Sequence, residues 1–381
     1  MRSISILGST GSIGRQALEL VSCYPDEFRV EALCAHRNAS LLFEQVRAFR
    51  PKLAALTAGE AEIPDDLKHA CEWLFGEDAL EKIARSADAH DVLVSVSGMV
   101  GLKAVLAARQ AGRRVLLANK EALVAGGALV MNLCTLGGAD ATLLPVDSEH
   151  SAVFQCLNAA EHNRYKKIIL TASGGPFRSW TKEQIMSASV EQALKHPNWS
   201  MGAKITIDSA SMFNKALEVI EARWLFDAGA EQIEVLVHPQ SIVHSMIEFE
   251  DHAVLAQLGI PDMKLPILYA MSYPRRLAMQ PPALDLAKVG QLSFEHVDTE
   301  RFPAVALAYE ALRAGGAAAC ILNAANEEAV ALFMQGKICF GDIYRVVRDT
   351  MQRLGTLGAD SLEAVLAADS AARNTAMQMI H

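Results

Sequence analysis

Short apolar runs alternate with stretches of helical period through the first third of the chain. Residues 4–7 form an apolar run, residues 15–21 place apolar side chains at helical spacing, and residues 29–35 form a second apolar run. Further runs follow at 53–56, 91–96 and 114–118, with a helical stretch at 102–110 and another helix opening at Asn119-Lys120-Glu121. A strongly apolar run at 141–146 closes the series. Short apolar runs bounded by turns read as strands buried on both faces, and strands that alternate with helices predict a parallel, doubly wound sheet.

Beyond residue 150 the texture changes. The apolar run 168–172 breaks into Ser173-Gly174-Gly175-Pro176, and a mixed loop over 195–202 is expected to lead into a strand at 204–207. The segment 209–215 is expected to lead into a helix through about residue 226, then strands at 233–237, 242–249 and 254–258 in a second, partly antiparallel sheet. His238, His244 and His252 lie on or beside these strands without ligand-like spacing and read as structural. Residues 261–282 are rich in proline and predict an arm with one short helix. From about residue 302 the chain is rich in alanine and leucine at helical period, a small bundle on which Glu327 and Glu328 read as helix surface. The fold class expected is α/β, with a doubly wound, Rossmann-like domain over 1–146. A central α+β domain over 147–260, an arm over 261–300 and a helical bundle over 301–381 complete it.

Composition narrows the function. The 381 residues are 51 % hydrophobic and 21 % charged, ample for more than one core. A formal net charge of -9 argues against broad binding of nucleic acid or anionic membranes, so an anionic substrate needs a local basic site. Seven cysteines without a C-x-x-C pair fit a reduced, cytoplasmic protein. Met1-Arg2-Ser3 runs straight into the first strand, so no leader is expected, and no apolar run reaches the ~18 residues of a membrane span.

The candidate chemistry sits at strand ends. Gly8-Ser9-Thr10-Gly11-Ser12-Ile13-Gly14 lies between the first strand and the first helix, where a glycine-rich turn lets backbone approach a pyrophosphate. The second strand ends at His36-Arg37-Asn38, with a fixed cation in place of the acid that favours NAD, so NADP is preferred. Asp147 and Glu149 follow the apolar run 141–146, and in extended chain both side chains point the same way. With Glu218 as a third hard oxygen donor they suit Mg²⁺ or Mn²⁺. Lys120 lies at another strand end, within reach of a substrate. The loop at Ser173 has the small residues and hydroxyl to wrap an anion. The loop with His196, Trp199 and Gly202 has the composition of a lid. These residues alone support a metal-dependent NADP enzyme, and equally a simple alcohol or hydroxy-acid dehydrogenase or a nucleotide sensor.

Together, the blocks at 8–14, 117–121, 145–150, 173–177, 196–202, 208–218, 221–226 and 238–241 resemble the 1-deoxy-D-xylulose 5-phosphate reductoisomerase family. They run in one order from the start of the chain to about residue 282. The resemblance implies a homodimeric enzyme that rearranges a small phosphorylated ketose and reduces the product with NADPH, without nucleic-acid or membrane partners. It implies Asp147, Glu149 and Glu218 as metal ligands, and Lys120 and Ser148 as contacts to substrate hydroxyls. It implies Ser173, Ser209, Asn214 and Lys215 as the phosphate site. His196 then touches substrate from the lid, and Trp199 closes over the nicotinamide side. Among these, Lys120, Glu149, His196 and Trp199 are the expected catalytic residues. Substrate contact also extends to Glu149 and Glu218. The cofactor contacts implied are Gly8, Thr10, Gly11, Ser12, Ile13, Gly14, His36, Arg37, Asn38, Asn119, Glu121 and Gly202. Three positions depart from the family's habit: His36 stands for a small residue, and Ala172 and Ala216 for glycine. Both alanines are therefore expected in ordinary extended or helical backbone.

Overall fold

The computed structural model describes residues 1–86, 88–138, 140–161, 163–196, 202–279 and 282–380. The chain divides into two compact units. The first comprises Met1–Ala122, Val130–Ser151 and Asp262–Met279, and the second comprises Leu123–Leu129, Ala152–Pro261 and Gln280–His381.

In the first unit, strands β1 (Arg2–Leu7), β2 (Phe28–Ala35), β3 (Leu53–Leu56), β4 (Glu72–Phe75), β5 (Asp91–Val94), β6 (Arg114–Leu117) and β7 (Leu143–Pro145) form one sheet. Its order is β4-β3-β2-β1-β5-β6-β7, with every pair parallel. The strand order reverses beside β1, which puts the glycine-rich turn at the switch point of the sheet, the usual ligand crevice of this architecture. Ile4, Ile6, Leu33, Leu93 and Leu116 are wholly buried, as the unbroken apolar runs require of a sheet covered on both faces. Strand β4 is an addition to the elements read from sequence, because Glu72-Trp73-Leu74-Phe75 lacks a fully apolar run.

The proline-rich arm is not a free connector. Its helix, Lys264–Ser272, packs against the helix Ser12–Cys23 of the first unit. The Arg2 guanidinium donates to the Met271 carbonyl at 3.0 Å, and Arg114 donates to the Tyr273 carbonyl at 3.2 Å while pairing with Asp91. Arg275 pairs with Glu27 across the same seam.

In the second unit, β8 (Tyr165–Ala172), β9 (Ile233–Val237), β10 (Val243–Phe249), β11 (Val254–Leu258) and β12 (Glu295–His296) form a sheet of order β11-β10-β8-β9-β12. Only β8 and β9 run parallel. Helices Ala304–Ala314, Ala318–Met334, Phe340–Leu354 and Leu362–Met377 make the expected bundle, and the first packs on the helix Phe213–Phe226. His238 is structural as expected: its Nδ1–H donates to the Ser293 carbonyl, and Nε2 accepts from the amides of Ile242 and Val243.

Two expectations are corrected here. Residues 204–207 lie in the helix Ala203–Ala210, not in a strand. The alternation Lys204-Ile205-Thr206-Ile207 has strand period, but burial follows helical period through Thr206, Ile207 and Ala210. The Lys204–Asp208 pair, four residues apart at 2.6 Å, and the Thr206 hydroxyl on the Gly202 carbonyl add helical support. Glu327 and Glu328 are also more than helix surface, since Arg373 bonds both and Asp369 at 2.6–3.0 Å. Burial lowers the Arg373 pKa while the carboxylates of Asp369 and Glu327 raise it, and the carboxylates prevail. Among the described residues no helix is long and apolar enough to cross a membrane.

Candidate active site

At the C-terminal end of β1, Gly8 adopts φ +88°, a conformation only glycine enters without strain. The Gly8 and Ser9 amides both donate to the Cys34 carbonyl at 2.9 Å, binding the turn to β2. A Cβ on Gly8 would meet the Ser95 carbonyl oxygen at 2.7 Å, and one on Gly14 would meet the Gly8 carbonyl oxygen at 2.4 Å. The helix Ser12–Cys23 thus packs directly on the turn, and its N-cap, Gly11, carries no side chain to cover the first amides. Gly11 and Ser12 are exposed, and Thr10 and Ile13 partly so. Exposed amides at a helix N-terminus beside a close backbone turn fit the pyrophosphate of a dinucleotide.

The tip of β2 lies next to this turn. His36, Arg37 and Asn38 are exposed, and the His36 ring meets the Thr57 hydroxyl at 2.9 Å. Asn38 also caps the helix Ala39–Phe49, accepting from the Leu41 amide. Arg37 offers a fixed positive charge to an anion at this tip. Asn119, buried, donates to the carbonyls of Val96 and Gly98 and to Glu121, while its own oxygen accepts from the Ala122 amide. Glu121 accepts from the Gly98 amide. These two side chains therefore hold the loop after β5, the loop whose Ser95 presses on Gly8.

The carboxylate pair is built differently from the sequence expectation. Strand β7 ends at Pro145 and the helix Ser148–Ala159 begins at once, so Asp147 and Glu149 are not in extended chain. Asp147 precedes the helix and its Oδ1 accepts from the Ser148 amide at 3.2 Å. Glu149 lies in the first turn and accepts from the Ser148 hydroxyl at 2.5 Å. The helix N-terminus favours both negative charges. Their carboxylate oxygens still approach within 4.8 Å of one another, and a buried lysine, Lys120, places Nζ 2.5 Å from Asp147 Oδ2. Two carboxylates against one ammonium leave net negative charge, and their oxygens are hard donors, so the pair fits a divalent cation such as magnesium. His150, part of the block 145–150 but given no role from the sequence, is fully buried with a ring nitrogen within 4.8 Å of an Asp147 oxygen.

In the second unit, Ser173 follows β8, and its hydroxyl accepts from the Gly175 amide and lies 3.2 Å from His196 Nε2. Gly174 and Gly175 have φ +83° and +65°, and a Cβ on Gly175 would meet the Ser209 carbonyl oxygen at 2.6 Å. The Ser173 loop is therefore pressed against the end of the helix Ala203–Ala210. Ser173, Gly175, Arg178, Trp180, Gln192 and Lys195 are among the residues lining a cavity of about 530 Å³. Burial pulls the His196 imidazole below its ordinary pKa, favouring the neutral ring.

On the helix Phe213–Phe226, Glu218 is buried and receives hydrogen bonds from Asn214 and Lys215, one turn back. Glu221, which opens the block 221–226 and has no role assigned from the sequence, is one turn further on and buried too. Ala172 and Ala216 sit in strand and helix, as their side chains require. Gly202 caps the helix Ala203–Ala210 in extended backbone, and Trp199 lies outside the described residues. Each unit thus gathers part of the expected site. Lys120, Asp147, Ser148 and Glu149 come together in the first. Ser173 meets His196 in the second, where Asn214 and Lys215 also meet Glu218.

Residues 4–127 match the sequence profile described as 1-deoxy-D-xylulose 5-phosphate reductoisomerase, and residues 143–226 match that of its C-terminal domain. Residues 258–375 match the profile described as DXP reductoisomerase C-terminal domain. The reductoisomerase of Cupriavidus metallidurans is 51 % identical over 389 residues, spanning 100 % of this chain and 98 % of the relative. That of Gloeobacter violaceus is 50 % identical, spanning 98 % and 96 %. Among solved structures, the reductoisomerase from Zymomonas mobilis in complex with NADPH is 42 % identical with a TM-score of 0.90, over 100 % of this chain and 99 % of the other. A DOX-P reductoisomerase in complex with NADPH, fosmidomycin and magnesium is 39 % identical with a TM-score of 0.91, over 100 % and 98 %. The chain belongs to the 1-deoxy-D-xylulose 5-phosphate reductoisomerase family.

Proposed function

We propose that this chain converts 1-deoxy-D-xylulose 5-phosphate to 2-C-methyl-D-erythritol 4-phosphate by skeletal rearrangement followed by hydride transfer, using NADPH and a divalent cation. The observation that carries this reading is the near full-length likeness to a reductoisomerase solved with NADPH, fosmidomycin and magnesium. The glycine turn, the Arg37 tip and the hard carboxylate pair beside Lys120 each match a requirement of that chemistry. The functional division follows the sequence: 1–146 for the cofactor, 147–260 for catalysis, 261–300 as arm and 301–381 as bundle.

Asp147, Glu149 and Glu218 hold the cation, Mg²⁺ or Mn²⁺. When bound, the cation supplies electrostatic stabilisation of oxygen charge developing in the rearrangement, and NADPH supplies the hydride. Lys120 and Ser148 orient the substrate hydroxyls, with the Lys120 ammonium paired to Asp147. Ser173, Ser209, Asn214 and Lys215 bind the phosphate, whose remote binding energy positions the reacting carbons. Neutral His196 hydrogen-bonds substrate, and Trp199 excludes water above the nicotinamide. Gly8, Thr10, Gly11, Ser12, Ile13 and Gly14 take the pyrophosphate side of the cofactor. His36, Arg37 and Asn38 take the adenosine side, while Asn119, Glu121 and Gly202 complete the contacts.

A homodimer in the cytoplasm completes the proposal. Seven unpaired thiols fit a reducing compartment. The edge strand β11 exposes Val254 and Leu255 and has no charged or proline residue to block pairing, which favours an isologous second copy. The test of the reaction is NADPH absorbance with 1-deoxy-D-xylulose 5-phosphate, in the presence of Mg²⁺ and again with a chelator. Oxidation that needs both sugar phosphate and metal is the expected result. Oxidation that survives chelation would leave a metal-free dehydrogenase in its place.

A further inference from the structure

Ser9, within the glycine-rich turn, is wholly buried, yet its side chain is polar. Its hydroxyl donates to Gln45 Oε1 at 2.7 Å, and Gln45 Nε2 donates back to the Ser9 carbonyl at 2.9 Å. Only one orientation of the amide satisfies both bonds, because the flipped form sets carbonyl against carbonyl. Gln45 itself is 6 % exposed, on the inward face of the helix Ala39–Phe49 beside Leu42 and Val46. That helix begins directly after His36-Arg37-Asn38, with Asn38 as its cap. The turn is tied a second time to the same segment through the Cys34 carbonyl.

We propose that Gln45 is a positioning residue for the cofactor, clamping the pyrophosphate turn to the helix that carries the Arg37 tip so that both anchor points keep one spacing. The inference rests on the NADPH reading above. A ligand held at two points gains from their fixed separation, and loosening that separation lowers the effective concentration of the second contact. NADPH uses both points, whereas NADH lacks the 2′-phosphate and uses the turn alone.

The test is calorimetric binding of NADPH and of NADH to the wild-type chain, Gln45→Ala and Ser9→Ala, with melting temperatures in parallel. Leaving the buried Ser9 carbonyl and hydroxyl without partners weakens NADPH by about tenfold in Gln45→Ala. NADH weakens less, so discrimination between the two falls, and in turnover the loss appears in KM for NADPH rather than in kcat. Ser9→Ala, which removes only the hydroxyl half of the clamp, gives a smaller change of the same sign and serves if Gln45→Ala does not fold. Equal losses on both cofactors, or folded variants that bind NADPH as the wild type does, overturn the clamp alone. A wild-type chain that binds no NADPH overturns the cofactor reading and the clamp with it.

Discussion

Glu218 shows what a single residue can and cannot reveal in a sequence. Its place four residues after Asn214 puts both on one helix face, and the side chains do meet, at 2.5 Å. Lys215 meets the same carboxylate from three residues back, and Glu218 is only 1 % exposed. The pairing was legible from spacing; the burial was not, because it depends on what packs around the helix. Glu218→Gln keeps the shape and removes the charge a cation needs. Its kcat should fall by at least about a hundredfold, the scale of a lost metal contact, while NADPH binding is retained. A variant that loses NADPH binding would put Glu218 in the wrong site. His196 supports a second prediction. Its pKa lies below the ordinary 6.5, with burial as the cause. Between that lowered value and 6.5 the unfolded chain binds more protons than the folded one, so stability falls as pH drops through the window. Melting curves at pH 7 and pH 5 should show the wild type losing about 1–2 °C more than His196→Gln over that interval. Parallel losses in both proteins would mean the imidazole is not desolvated.

At the scale of elements, buried parallel strands were legible because a sheet covered on both faces demands unbroken apolar runs. The segment 204–207 was misread for a related reason: four residues with alternating polarity satisfy a strand, and too few follow for the helical period to declare itself. The carboxylates were misplaced by the same economy, since the chain turns from β7 into a helix within three residues of Pro145. Gln45 escaped notice because its helix was not read, although a glutamine on the Leu42–Val46 face is the signal that marks it. The first helix and the turn before it form a close backbone-to-backbone joint. A methyl group on Gly14 would lie 2.4 Å from the Gly8 carbonyl oxygen and 2.6 Å from Ser9 Cα. Both are backbone, so neither can rotate away. Gly14→Ala should therefore push the helix off the turn, costing about 1–3 kcal/mol of stability and weakening NADPH by tenfold or more. Thermal melting and a binding titration together check this, and an unchanged pair of values would show the joint to be looser than it looks.

For the whole molecule, the alternating first third and the helical end were legible as a doubly wound sheet and a bundle, because each follows from local period. The course of the arm was not. It belongs with the first unit through Arg2–Met271, Arg114–Tyr273 and Arg275–Glu27, contacts between residues more than 150 positions apart that no local pattern encodes. The proposed second copy has its candidate contact at the open edge of the second sheet. Strand β11 reads Val254-Leu255-Ala256-Gln257-Leu258; its first three residues are exposed, and β10 occupies only one of its edges. Natural edge strands that must stay single carry charge, proline or a bulge, and no charge or proline is present in β11. A twofold partner pairing through the same strand would satisfy the open backbone groups and cover Val254 and Leu255 in one step, without an open-ended stack, because an isologous contact closes on itself. Leu255→Lys places like charges from both copies at that seam. Light scattering on the purified protein should then give the mass of two chains for the wild type and of one for the variant, with the variant still binding NADPH through its first unit. A variant that keeps the twofold mass would move the dimer contact to another surface.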